Sequence, residues 1–208
     1  MSRGKFITIE GAEGVGKTTS IAFIEEYFKQ AGRKILLTRE PGGTPLAEKI
    51  RELLLDARQT SMADDTELLL MFAARAQHLK EKIIPALEAG QWVICDRFTD
   101  ATYAYQGGGR GIEQTRIASL ENWVQGELRP DMTLLLDLPV DLGLKRAGER
   151  SEPDRFEQEK QAFFERVRAS YLAMAEAEPK RYRIIDASGS IDEVQSRIKL
   201  VLDELTGA

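Results

Sequence analysis

The 208-residue sequence holds one cysteine, Cys95, and one histidine, His78. A single thiol excludes a disulfide scaffold, and the pair supplies no structural zinc set. No apolar stretch approaches the roughly 20 residues that a membrane-spanning helix needs. Excess positive charge is also missing. Lys and Arg number 29 against 34 Asp and Glu, for a net charge of −5, which argues against a constitutive nucleic-acid or membrane-surface binder. No internal repeat or low-complexity tract interrupts the chain. The segment Met1–Lys5 runs straight into an apolar stretch and leaves no room for a signal peptide, so the expected setting is the reducing cytoplasm. Cys95 lies inside an apolar run and reads as a small buried hydrophobe. His78 has no evident partner; it reads as surface or helix packing, without a catalytic role.

What is present is a soluble globular composition, 42% hydrophobic and 30% charged. Short runs recur at Phe6–Ile9, Lys34–Thr38, Trp92–Cys95, Thr133–Asp137 and Arg183–Asp186. Their apolarity is continuous rather than alternating, as in strands buried on both faces of a parallel sheet. Helical spacing fills the gaps. Ile21, Ile24 and Phe28 mark a first helix stopping at Gly32, and Leu46, Ile50, Leu53 and Leu54 mark one from about Thr44 to Leu55. A longer one begins near Asp65 or Thr66 and ends or kinks near Pro85. Two more are marked by Ile117, Leu120 and Val124, and by Val194, Ile198, Val201 and Leu205. The expected fold is α/β: one domain over 1–208, a five-stranded parallel sheet flanked by helices. The polar stretch Gly148–Asp154 suits a mobile segment over a site, which sets a short lid at about 146–157.

Directly behind the first strand the chain reads Gly11-Ala12-Glu13-Gly14-Val15-Gly16-Lys17-Thr18. This is the phosphate-binding loop pattern, with a strand before it and a helix after it. Glycines let successive N–H groups turn into a concavity that cradles phosphate oxygens, and the following helix adds its positive N-terminal end. Lys17 is placed to reach the outer phosphates, and the Thr18 hydroxyl to ligate Mg²⁺. A nucleoside triphosphate is the expected ligand.

Ligands of open parallel sheets bind outside the carboxyl ends of the strands, and the informative residues gather there. Asp96 ends the third strand, where a carboxylate holds Mg²⁺ directly or through water; a helix N-cap is an equal alternative. Arg97 at the mouth of a phosphate site is most simply a bidentate clamp on a second phosphate. Arg51 and Arg75 sit on helices with apolar faces, and each alone reads more readily as a solvated arginine. Tyr103, Tyr105, Gln106 and the glycines after them suit recognition of a base edge and sugar, although core packing explains one tyrosine equally well. Arg146 and Arg150 lie four apart on one helical face at the edge of the lid; surface ion pairs are the plain alternative for either. A transfer between two bound phosphates needs one cradle, one clamp, Mg²⁺ and mobile arginines. The main rivals are a kinase for another small acceptor and a phosphate-loop ATPase that acts on a partner.

The chain resembles the bacterial thymidylate kinases over nearly its whole length. The matching segments include ITIEGAEGVGKTT at 7–19, LTREPGGTPLAEKIRELLL at 37–55, LLLMFAARAQHL at 68–79, VICDRFTDATYAYQGGGRGI at 93–112 and DRFEQE at 154–159. The pairing of Asp96-Arg97 with the later AYQGGGRG is far more specific than the phosphate loop. The resemblance implies the nucleoside-monophosphate kinase fold, transfer of the ATP γ-phosphate to dTMP with Mg²⁺, and a homodimer. It implies that Gly11 to Thr18 bind ATP phosphates and that Glu13 contacts the acceptor sugar or its Mg²⁺ surroundings. Arg51 and Arg97 would hold the dTMP phosphate, and Asp96 would organise Mg²⁺. Arg75, Thr102 and Gln106 would meet the thymine edge, and Tyr105 would lie against the deoxyribose. Arg146 and Arg150 match the lid pattern RAxxR of the subtype whose phosphate loop lacks a basic residue. The family often carries phenylalanine where Met71 stands here; Phe72, one position later, is the expected thymine cover.

Overall fold

A computed structural model describes residues 3–58, 61–148 and 154–207. Its centre is a five-stranded parallel sheet: β1 (Phe6–Glu10), β2 (Ile35–Arg39), β3 (Trp92–Asp96), β4 (Met132–Asp137) and β5 (Tyr182–Asp186), in the order β2-β3-β1-β4-β5. Register pairs Ile9 with Asp96 and with Leu134, and Arg39 with Asp96. The carboxyl ends of β1, β2 and β3 therefore finish side by side. All five strands fall where the continuous apolar runs set them.

Successive side chains on a strand point to opposite faces, and both faces here are covered. Ile7, Ile9, Ile94, Leu134 and Leu136 face a layer built from α1 (Lys17–Gln30) and α9 (Ile191–Thr206), where they meet Phe28, Ile198 and Leu202. Phe6, Val93 and Cys95 face the opposite side against Leu79 and Ile83, while Leu135 packs with Phe163, Phe164, Val167 and Tyr171 of α8 (Gln161–Ala177). Glu10 follows Thr8 and Phe6 on this second face, so the strand's pleat aims a carboxylate into the layer that holds α8.

The remaining helices bring site residues to the carboxyl edge. Thr44 caps α2 (Pro45–Leu55), its hydroxyl accepting from the Ala47 amide at 3.3 Å. Leu54 of α2 is buried, but Leu46 and Leu53 are exposed, so the four-residue apolar face read from spacing is divided between core and surface. The long helix is α3 (Asp64–His78), which passes through a π-helical turn at Leu79–Ile83 into α4 (Ile84–Glu88). The wide turn comes directly before Pro85, whose missing N–H breaks the ordinary ladder. A short α5 (Thr99–Thr102) leads into a second π-helical stretch, Tyr103–Gly109, before α6 (Gln114–Gln125). Between β4 and α8 lies α7 (Val140–Gly148). No helix among the described residues is long and apolar enough to cross a membrane.

Phe28 is fully buried and meets Trp92 edge-on at 5.5 Å between ring centroids. Phe28→Ala removes that packing and leaves a cavity, a change that costs about 3–5 kcal/mol. Chemical denaturation should register a loss of that size, with binding affinities of the folded variant unchanged.

Candidate active site

The phosphate loop bends back over the start of α7 because two glycines meet there. Gly14 has φ +72°, and a Cβ on it would strike the Gly143 carbonyl; a Cβ on Gly143 would in turn crowd the Glu13 carbonyl. Glycine at both positions lets the two backbones touch. Gly16 adopts the left-handed conformation and starts α1, so Lys17 occupies the first helical turn. The Lys17 ammonium donates to the carbonyls of Gly11 at 3.1 Å and Ala12 at 3.0 Å. Burial and the nearby Arg97 guanidinium lower its pKa, partly opposed by Glu13 and Asp96.

Arg97 is the non-glycine residue with positive φ among the described residues, at +64°. Such a conformation persists only when surrounding contacts over-determine it, and they are present on every side. The Arg97 amide donates to Ile9 O at 3.0 Å, the Cys95 thiol donates to the Arg97 carbonyl at 3.1 Å, and the Phe98 amide donates to Glu10 Oε1 at 2.7 Å. The turn swings the guanidinium back over the phosphate loop. There Nη1 donates to Gly11 O at 3.0 Å and Nη2 to Glu13 Oε1 at 2.6 Å, while the group lies 4.7 Å from the Tyr105 ring centre. The Tyr105 hydroxyl donates to the same Glu13 oxygen at 2.9 Å. Burial alone would raise the Glu13 pKa; Arg97, Lys17 and the Tyr105 hydroxyl override it and hold the carboxyl down at about 2.

These groups line one cavity of about 290 Å³. Glu13, Gly14, Val15, Gly16, Lys17 and Thr18 contribute from the loop, and Arg51, Met71, Arg75, Asp96, Arg97, Thr102, Tyr105 and Gln106 from the rest of the fold. Gly11 and Ala12 stand behind this lining and serve through their carbonyls. Arg51 is braced by a 2.9 Å bond from Nη1 to Pro41 O. Arg75 is buried, with Nε donating to Glu40 Oε2 at 2.7 Å and Nη2 to Thr102 Oγ1 at 3.0 Å. Its Nη1 has no partner among the described residues, and the same holds for the buried Asp96 Oδ1. One unspent donor and one unspent anionic oxygen on the walls of the same cavity are groups awaiting a ligand. The free oxygen of Asp96, which lines the same cavity as Thr18, fits a hard divalent cation or one of its waters.

Three expectations change: those for Phe72, Arg146 and His78. Phe72 is 2% exposed and packs with Leu68, Ile112 and Ile117. Met71, one residue earlier and about a quarter-turn round the helix, takes the place on the cavity wall. Arg146 donates to the carbonyls of Ala187 at 3.0 Å and Ser188 at 3.4 Å and is not among the cavity's lining residues. The carbonyls of the loop after β5 lie within reach of the last turn of α7 and hold it there. His78 is not a surface residue: it is fully buried, with Nδ1 at 3.0 Å from Glu40 and Nε2 at 2.7 Å from the Thr38 hydroxyl. Gln106 lines the cavity, but its amide nitrogen is spent on Glu67 at 2.7 Å. Arg150 and the middle of the expected lid, residues 149–153, lie outside the described residues. Arg155, which bounds that segment, is a tie within the fold: Nε reaches Leu54 O at 2.8 Å and Nη2 reaches Glu67 at 2.6 Å.

Reading the residues missed Glu10, Glu40 and Tyr171. Glu10 Oε2 accepts from the Tyr171 hydroxyl at 2.7 Å, which ties α8 to the Arg97 turn. The available sign was a carboxylate ending a wholly apolar strand.

A family model described as thymidylate kinase matches residues 9–198. A thymidylate kinase of Pseudomonas syringae pathovar tomato is 60% identical over 202 residues, 97% of this chain and 96% of that protein. One from Ectopseudomonas mendocina is 58% identical over 205 residues, covering 99% and 98% of the two chains. Among solved structures, the crystal structure of thymidylate kinase from Ehrlichia chaffeensis superposes with a TM-score of 0.78 at 34% identity, over 97% of this chain and 99% of that one.

The Glu10 carboxyl carries a stability consequence. Burial, then the Asp100 charge, push its pKa up to about 8, against lowering by Tyr171, Arg97 and the Phe98 amide. Between about pH 5 and 8 the folded chain keeps a proton that the unfolded chain has released, so stability falls as pH rises through that window. Glu10→Gln, which cannot ionise, should flatten this slope. Denaturation midpoints of both proteins at pH 5.5 and 8.5 check it, and parallel slopes would place the proton elsewhere.

Proposed function

The chain belongs to the thymidylate kinase family, and from that premise we propose that it transfers the γ-phosphate of ATP to dTMP, giving dTDP and ADP, with Mg²⁺ as cofactor. The observation that carries this reading is a single cavity lined both by the phosphate loop and by four further arginines, Arg39, Arg51, Arg75 and Arg97. A protein that only hydrolyses a triphosphate has no use for a second set of cationic donors. With the acceptor absent, such a set would stay partly unpaired at a desolvation cost.

The loop amides and Lys17 hold the donor phosphates, and Lys17 exchanges its two loop carbonyls for phosphate oxygens on binding. Arg97 and Arg51 grip the acceptor phosphate and bring an acceptor oxygen into line with the donor's outer phosphorus. Positioning of this kind, with neutralisation of charge, supplies most of the catalysis in phosphoryl transfer. Bound Mg²⁺ would supply further charge neutralisation, with Asp96 and Thr18 as the residues to hold it. Glu13 stays ionised and keeps Arg97 and the Tyr105 hydroxyl pointed at the acceptor sugar. Met71 lies along the base, and the free Nη1 of Arg75 donates to a base carbonyl. Thr102 keeps that guanidinium in plane.

Two further readings belong here. The working location is the cytoplasm, where these nucleotides are made and used. The working form is a homodimer built on α2, α3 and α6, whose outer surfaces leave Leu46, Leu53, Leu69 and Trp123 exposed, Trp123 at 83%. Neighbouring helices that leave several large apolar side chains in solvent mark an association surface. Leu69→Arg puts a charge into that surface and should shift the protein to monomer in sedimentation velocity. An unchanged dimer would move the interface to another face.

The activity is tested by coupled ADP release with a panel of monophosphates. dTMP should drive turnover well above dCMP, dAMP and dGMP, and ATP alone should release almost no ADP. Lys17→Ala should lower turnover by about 10²-fold or more in a folded protein, because its charge faces the transferring phosphate. Equal ADP release with and without dTMP would favour an ATPase.

A further inference from the structure

His78 does not line the cavity, yet it closes a buried chain of polar contacts that ends there. Glu40 receives two donors at once: Arg75 Nε on Oε2 at 2.7 Å, and His78 Nδ1 on Oε1 at 3.0 Å. A carboxylate only accepts, so Nδ1 carries the proton. On the other side of the ring, Nε2 meets the Thr38 hydroxyl at 2.7 Å. All four side chains, Thr38, Glu40, Arg75 and His78, are buried.

The loop after β2 is moulded onto this histidine. Gly43 has φ +88°, and a Cβ there would fall on His78 Nε2 and lie 2.7 Å from Thr38 Oγ1. The same loop presents the Pro41 carbonyl to Arg51 at 2.9 Å. One imidazole thus packs against this loop and bonds to Glu40, the carboxylate that holds Arg75.

We propose that His78 is a positioning residue for acceptor recognition, holding Glu40 so that Arg75 presents its free Nη1 to a carbonyl on the acceptor base. This rests on the reading of Arg75 as a base contact. Without the histidine, Glu40 can rotate toward Arg75 and draw its guanidinium out of plane. Among the described residues, the side-chain hydrogen bonds of Thr38, Glu40, Arg75 and His78 do not reach the loop at 11–18.

Steady-state kinetics on a small set of variants test it. His78→Leu removes the Nδ1–H donor; His78→Asn keeps an amide N–H near the same place. His78→Leu should raise KM for dTMP about tenfold, the size of coupling seen between contacting buried groups, with kcat and KM for ATP changed less than twofold. His78→Asn should restore most of the loss. Added to Arg75→Ala, the leucine variant should cost nothing further, because its effect runs through Arg75. Additive losses would overturn the proposal, and so would equal falls in kcat and both affinities accompanied by a lowered melting temperature. A normal KM for dTMP in Arg75→Ala alone would instead remove the underlying base-contact reading.

Should His78→Leu fail to fold, the native enzyme still decides. His78 is the only histidine, so its ring resonances assign themselves in a long-range ¹H–¹⁵N spectrum. A protonated Nδ1 whose resonance shifts on adding dTMP, but not on adding a non-hydrolysable ATP analogue, supports the proposal. An unprotonated Nδ1, or one indifferent to dTMP, overturns it.

Discussion

The conformation of Arg97 is the constraint on which the site depends. Left-handed backbone at a long, non-glycine residue costs of order 1–3 kcal/mol, and here it reverses the chain so that the residue just after β3 points at the loop after β1. The contacts that stabilise it come from several elements. β1 gives the Ile9 carbonyl and the Glu10 carboxyl, β3 gives the Cys95 thiol, and the phosphate loop gives the Gly11 carbonyl and Glu13. α8 reaches the same place through Tyr171, bonded to Glu10 at 2.7 Å. Mutual support of this kind places one guanidinium between the phosphate loop and the cavity that the other arginines line.

The part of the cavity around Arg51 and Arg75 follows the same logic with different groups. Charged side chains are buried there in numbers that would be unaffordable if unpaired, yet each has a partner chosen from another element. Arg75 has Glu40 and Thr102, Arg51 has a loop carbonyl, and Glu67 gathers Gln106, Arg110 and Arg155. On the cavity wall, Arg75 Nη1 and Asp96 Oδ1 are left without a protein partner among the described residues.

The sheet was legible in the sequence because its central strands β1, β3 and β4 are apolar on both faces, and the half-buried edge strands β2 and β5 still stand out as short runs between helical spacing. Arg97, Lys17 and Thr18 were legible because their spacing from the strand ends is set by local chain geometry. Met71 against Phe72 was not. Both fit the helical period, and only the rotation of α3 between the cavity and α6 decides which ring or thioether faces the ligand. His78 and Tyr171 were hidden for a simpler reason: their partners lie 38 and 161 positions away, and no local pattern announces a contact of that range. Arg146 shows the converse, since a lid-like spacing did not reveal the carbonyls after β5 that hold it.

The central claim is that Arg97 acts through the geometry of its fork rather than through charge alone. Titration calorimetry of dTMP and of a non-hydrolysable ATP analogue into Arg97→Lys tests it directly, since lysine keeps the charge and loses the paired donors. The account expects dTMP affinity to fall at least tenfold while the ATP analogue binds within about twofold of the parent. Unchanged dTMP affinity in the lysine variant would contradict it.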